Sequence, residues 1–298
     1  MIKRKLTRLA RKLSWLFGIY LVPRHIATVN TKNGLLSFNS KDRTLGRSLY
    51  IEREFEYDGM HKCVKLLVDN AFLSDAEKHT VMDVGGYIGM IGIGFLNAGL
   101  FKKALMFEPN PDSFSLINKN ISQNNMQQNI SAFNVALSDV ESELVMELSH
   151  KNYGDHRIRK EGEVESGHYN EQNRKTIKVR AIPFDNFVAE NKDIDFEDVK
   201  MIWMDIQGHE GKFISGAQQF LLQHKHVPIA MEFWPYGLLR AGTSKNDFCS
   251  VVSKLYSHFY ILDETPCTLH EISELEKYFE NYGQTPAGGS HLILVNKG

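Results

Sequence analysis

The chain has 298 residues, a formal charge of −1 from 35 basic and 36 acidic side chains, and 42% hydrophobic residues. A chain of this length buries about three-quarters of its unfolded surface without staples, and its near-zero charge lacks the basic excess of a nucleic-acid binder, so no nucleic-acid partner is expected. Three widely spaced cysteines, Cys63, Cys249 and Cys267, form no C-x-x-C pair. They indicate neither a disulfide framework nor a zinc knuckle and suit a reducing cytoplasm.

Charge is uneven along the chain. Lys3, Arg4, Lys5, Arg8, Arg11, Lys12 and Arg24 stand among the first 24 residues without an acid, and the apolar run Leu13 to Val22 follows. Three readings stay open: a first helix packing its Trp15 and Phe17 side on the domain, an amphipathic segment lying on an anionic bilayer, or an export signal. The run is too short to span a membrane, and no small-x-small cleavage site precedes Thr28. Residues 27–55 alternate apolar and polar positions, broken at Asn33-Gly34 and Gly46, and predict two or three strands with a hairpin. Met60 to Leu73 has helical spacing. Together residues 1–75 read as a basic helix and cap preceding a domain of residues 76–298.

That domain opens on the run Val81 to Val84, containing Asp83, followed by Gly85, Gly86 and Gly89 and then helical apolar spacing. A strand, a tight turn and a helix are predicted. A second run, Ala104 to Phe107, ends in Glu108-Pro109-Asn110. Glycines here let a ligand lie against exposed backbone N–H groups, and an acid ending the next strand, 25 positions beyond Asp83, can accept hydrogen bonds from two ribose hydroxyls. The dinucleotide fingerprint is G-x-G-x-x-G, whereas this chain reads D-x-G-x-x-x-G. A nucleoside site is therefore expected, and a nicotinamide oxidoreductase on the same sheet is disfavoured.

Further along, Pro111 starts a helix over Asp112 to Asn124, Ile130 to Leu137 forms the third strand, and Ala136 to Asp139 turns at its carboxyl end, where adenine would lie. Residues 147–175 are polar and predict a lid without regular structure. Within it His156 can exchange a proton near neutrality and Arg157 can clamp an anion. Strands follow at Thr176 to Ile182, Lys200 to Ile206 and Val227 to Phe233, with a helix over His209 to Leu222. A helix over Asn246 to His258, another over Ile272 to Phe279, and paired strands Phe259 to Leu262 and His291 to Val295 complete an α/β, Rossmann-like, seven-stranded sheet.

Four phrases carry a family resemblance: D-V-G-x-x-I-G from Asp83, F-E-P-N-P-x-x-F from Phe107, Gly154-Asp155-His156-Arg157, and W-M-D-I-Q-G-H-E from Trp203 with Gly216-Ala217 behind it. In this order they resemble the FkbM family of methyltransferases. The resemblance implies a class I methyltransferase using S-adenosylmethionine, with Asp83, Gly85, Gly86, Gly89, Glu108, Asn110 and Ala136 at the cofactor. It further implies an acceptor hydroxyl on a glycan sugar or a natural product. Asp205, which ends a buried strand, His209 and His156 are the candidate proton carriers. The chain departs from the family at Gly86-Tyr87, where Ala-Asn is usual, and at Trp203 and Gln207, where Lys and Glu are usual. A non-catalytic nucleoside-binding module is thereby raised as the alternative. A cation between Asp205 and Glu232 would have oxygen ligands suiting magnesium, but two acids without a ligand phrase assign no metal. Trp203, Trp234 and Tyr236 are candidates to stack on a sugar.

Overall fold

The computed structural model describes residues 2–160 and 167–297, with side chains described from residue 5 onward. Residues 161–166 of the expected lid, and the side chains of Lys3 and Arg4, lie outside the described residues.

Seven strands build the central sheet: β1 (Thr80–Val84), β2 (Lys103–Phe107), β3 (Ile130–Phe133), β4 (Val199–Met204), β5 (Ile229–Phe233), β6 (His258–Ile261) and β7 (Ser290–Val295). Their order is β3-β2-β1-β4-β5-β7-β6, and the two-residue strand His270–Glu271 lies outside β6. β1 to β5 run parallel, while β7 pairs antiparallel with β5 and β6. Every residue of β1 is buried, as a strand covered on both faces requires. The chain leaves β1 toward β2 on one side and β4 lies on the other. The carboxyl ends of β1 and β4 therefore open a crevice at the point where strand order reverses.

The structure corrects several boundaries. β3 stops at Phe133 because Asn134 donates from Nδ2 to the carbonyls of Glu108 and Pro109, at 2.8 and 3.0 Å, and bends the chain away. Ala136–Ser138, expected as a turn, is instead a strand of a second sheet, ordered Ala136–Ser138, Lys175–Pro183, Ser142–Leu148 and Arg157–Ile158. The strand expected at Thr176 to Ile182 belongs there too, because its half-exposed alternation suits a sheet with one wet face. The helix expected from His209 divides into Glu210–Gly216 and Gln218–Gln223, the second opened by Asp185, whose carboxylate accepts from the amides of Gln219 and Phe220. Pro111–Gln123 is helical as read, and its Asn110 cap accepts from the Asp112 amide at 2.9 Å.

The N-terminal extension covers one face of the central sheet. Its hairpin, Ile26–Thr31 with Gly34–Asn39, turns at Asn33-Gly34. Asn120 clamps it by accepting from the Ser37 amide and donating to the Ser37 and Ile88 carbonyls. No third strand follows among residues 40–55; Leu45–Glu52 is a helix. The opening helix, Ile2–Leu21, docks through Trp15, which is 4% exposed against Phe38 and Tyr50. Phe17 does not join it and is 60% exposed. Two residues apart on a helix means nearly opposite faces.

Candidate active site

β1 turns at Gly85, where φ is +91°. A Cβ there would stand 1.9 Å from the Asp205 carbonyl oxygen, so the bare backbone lets the loop after β1 lie directly on the chain leaving β4. The amides of Gly85 and Gly86 both donate to the Phe107 carbonyl, at 2.9 and 3.0 Å. Gly86 and Gly89 face Ile117, Ile93 and Met106. These glycines therefore serve close packing, and the exposed N–H groups expected for a ligand are already paired within the turn. Asp83 does not reach the crevice either: its Oδ2 accepts from the Gly92 amide at 2.9 Å, and burial pushes its pKa up to about 7.

Glu108 does line the crevice. Its Oε2 accepts from the Tyr87 amide at 2.9 Å and its Oε1 from the Asn110 amide at 2.8 Å, while burial raises its pKa to about 8 against those two bonds. Each carboxylate oxygen keeps a second lone pair. Tyr87 takes φ +48°, the left-handed region that Asn tolerates best, and its hydroxyl donates to buried Asp42 at 2.7 Å. The Tyr at this family Asn position thus ties the nucleoside loop to the N-terminal extension.

A cleft enclosing about 560 Å³ of empty space runs from Glu108 past Val135, Ala136 and Leu137 to Asp205 and His209, with Tyr153 and His156 on its far wall. Asn110 opens instead onto a neighbouring depression that shares Tyr87, Tyr153 and His156. His209 is 6% exposed, and burial lowers its pKa to about 4. His209 Nε2 shares a hydrogen bond with Ser138 Oγ at 2.9 Å, and its Nδ1 is buried without a partner among the described residues. His156 is likewise lowered to about 4 by burial, and its Nδ1 accepts from the Ser149 amide. Both rings are neutral at physiological pH, the form in which an imidazole can accept a proton.

Gln207 lines this cleft and a second, wider one of about 1170 Å³ that holds Arg157, Tyr169, Glu232, Trp234, Asp263 and His291. Its Nε2 donates to Asp205 Oδ1 at 2.7 Å and to Glu232 Oε2 at 2.9 Å, from a backbone held at φ +55°. Although Asp205 stays open to the cleft, desolvation between the sheet edge and the loops raises its pKa. Desolvation and then the Asp205 charge raise Glu232 well above the usual carboxylate range. Glu210 is buried beside them.

The described parts of the expected lid are structured. Arg157 donates to Asp155 at 2.5 Å and to Glu171 at 3.2 Å, and Arg174 donates to Asp155 at 2.5 Å, all four side chains buried. The Arg157 guanidinium lies over the Trp234 ring at 4.5 Å and the Tyr169 ring at 5.0 Å. It is a pillar of this wall and holds no free anion clamp. Trp234 faces the second cleft and Tyr236 donates to Glu171, whereas Trp203 packs in the core against Phe95. Sequence reading missed Tyr169, Glu171 and Arg174, because a polar stretch gives no periodic sign of which charges will pair.

The strand order, with an antiparallel strand between β5 and β6 and a cleft over the switch point, is the Rossmann-like arrangement of class I methyltransferases. The methyltransferase FkbM domain model matches residues 83–283, more than half of the chain, and the chain belongs to that family. No curated protein matches it. Among solved structures, methyltransferase FkbM from Methylobacillus flagellatus KT is similar at 15% identity and a TM-score of 0.40, covering 83% of this chain and 52% of that one. This chain thus spans about half of that protein's length. Precorrin-6y C5,15-methyltransferase from Geobacter metallireducens GS-15 is similar at 10% identity and a TM-score of 0.36, covering 77% and 86%. TrmK from M. capricolum, solved with S-adenosyl-homocysteine, is similar at 12% identity and a TM-score of 0.38, covering 82% and 68%. The cleft would fit the S-adenosylmethionine that the family implies: Glu108 has lone pairs to spare for ribose hydroxyls, and Nδ1 of His209 is buried beside the cleft without a partner.

Proposed function

We propose that the protein methylates a hydroxyl of a sugar, carried on a glycan or on a natural product under assembly, with Asp205 as the group that takes the hydroxyl proton. The single observation behind this reading is the junction of the two clefts. Gln207 borders both, and the wider cleft combines the Trp234 ring with polar groups from Asn152, Asp263 and His291, the mixture of flat apolar surface and hydrogen-bonding edges that suits a sugar. S-adenosylmethionine, held through Glu108 and Ala136, supplies an electrophilic methyl group. The chain's own work is to orient the hydroxyl and receive its proton, and desolvation raises the proton affinity of both Asp205 and Glu232 for that task. Labelled S-adenosylmethionine incubated with a glycan panel should yield an O-methylated sugar. Asp205→Asn should lower turnover about 100-fold or more while cofactor affinity measured by calorimetry holds. Transfer to nitrogen or to RNA, or an unimpaired Asp205→Asn variant, would overturn the reading.

The acceptor is proposed to be met at an anionic membrane surface, from the cytoplasmic side. No described helix is long and apolar enough to cross a membrane. Leu6, Leu9, Leu13, Leu16, Phe17 and Tyr20 nevertheless recur at helical steps on the outer face of the opening helix, all at least half exposed, with Lys5 and Lys12 beside them. An apolar stripe flanked by lysines complements an anionic bilayer. Flotation with phosphatidylglycerol vesicles should recover the protein, and a Leu9→Glu, Leu16→Glu double variant should partition at least tenfold less. Equal partitioning, or self-association through this helix in place of vesicle binding, would count against it.

A further inference from the structure

We propose that Asp205, Glu210 and Glu232 form a binding site for one divalent cation of the magnesium or manganese class at the boundary between the two clefts. The three carboxylates arrive from three places in the fold: the turn after β4, the first position of the helix Glu210–Gly216, and β5. One ligand oxygen of each lies within 4.8 Å of the other two. An ion about 2.1 Å from each oxygen needs them about 3 Å apart, so the three side chains would close around it by up to about 1 Å each.

Proximity of acids alone would carry nothing; Glu210 supplies the independent observation. It is 1% exposed, its Oε1 accepts from the Ile206 amide at 3.1 Å, the amides of Gly208 and Glu210 also face the carboxylate and favour its charged form, and its Oε2 is buried without a hydrogen-bond partner of good geometry. A buried carboxylate oxygen lacking a donor is costly, and more so beside two further carboxylates. Among the described residues, the neutral Gln207 amide bridges Asp205 and Glu232, donating to both through Nε2. Rotating that amide end for end exchanges Nε2 for Oε1 and turns a bridging donor into a fourth oxygen ligand. Gln207 is held for this at φ +55°, a backbone region that a non-glycine residue occupies at a cost. The donor set is all oxygen, which selects a hard cation over zinc.

Where the acceptor hydroxyl is taken to bind as proposed above, such an ion would also lower that hydroxyl's proton affinity. The site itself does not depend on that reading. Its test uses the chelator-treated full chain and Mn2+ alone, with neither cofactor nor acceptor, following free Mn2+ by electron paramagnetic resonance. One ion per chain is expected, displaced by Mg2+, and bound at least tenfold more weakly by Glu210→Gln and by Glu232→Gln. Gln207→Glu, which adds a charged oxygen, should bind at least as tightly as the parent. S-adenosylmethionine titration of each variant establishes that the nucleoside half is intact. Absence of Mn2+ binding at millimolar concentration in a chain that binds S-adenosylmethionine, or binding indifferent to Glu210→Gln, overturns the site. Mn2+ binding without sugar methylation would sustain the site and sink the acceptor assignment alone.

Discussion

Two groups of acids stand along one sheet edge, and they differ in what faces them. At β1 and β2 the fold supplies the donors itself: Glu108 receives two backbone N–H groups and Asp83 one. At β4 and β5, Asp205, Glu210 and Glu232 converge with the Gln207 side-chain amide bridging two of them and Glu210 Oε2 left unpaired. The first arrangement is complete before any ligand arrives, because backbone donors are fixed by strand and turn geometry. The second retains negative charge that a proton or a cation must offset.

The sharpest way to break this contrast is at the glycine where both halves touch. Gly85→Ala would place a methyl group against the Asp205 carbonyl at 1.9 Å, from a φ of +91° that L side chains rarely adopt. The loop would be forced off the chain leaving β4, and destabilisation of about 2–3 kcal/mol is expected, with cofactor affinity falling at least tenfold. Gly86→Ala is the control, since its Cβ would meet Ile117 at 3.3 Å and needs only a small adjustment. Thermal melting and calorimetric titration of the two variants check this; equal melts would mean that the β1 loop does not rest on β4.

How legible all this was in the sequence follows the same division. The βαβ unit from Val81 to Phe107 was readable because strands covered on both faces are continuous apolar runs and a glycine cluster marks the turn. The placement of Glu108 on the cleft followed from strand polarity alone. The purpose of the glycines was not readable, because whether a missing Cβ admits a ligand or a carbonyl depends on a strand more than 90 residues away. The burial of the histidines was not readable either: it lowers the pKa of His156 and His209 to about 4 and keeps both rings neutral. Residues 147–175 misled most. Polar composition argues for a loop, but Asp155, Arg157, Glu171 and Arg174 pair with one another and fold the described parts of that stretch into a wall.

The smallest effects separate the two groups by sign. In Glu108 the folded-state pKa of about 8 stands above the ordinary 4.5, so its protonated form is favoured in the fold. The stability it contributes is full below pH about 4.5 and is lost as pH rises through 8, at no more than about 1.4 kcal/mol per pH unit. Glu108→Gln abolishes that slope and sets an amide NH2 against the N–H of Tyr87 or Asn110, so the variant should be about 1–2 kcal/mol less stable at pH 5, the gap narrowing toward pH 8. Glu210→Gln should act oppositely. Its carbonyl oxygen keeps the Ile206 bond, while its NH2 takes the position where Oε2 had no partner and can donate to the neighbouring carboxylates. In chelator at pH 8 a gain of about 1 kcal/mol is expected, read from urea midpoints at unchanged slope. Losses at both positions would mean that Glu210 is as fully hydrogen-bonded as Glu108.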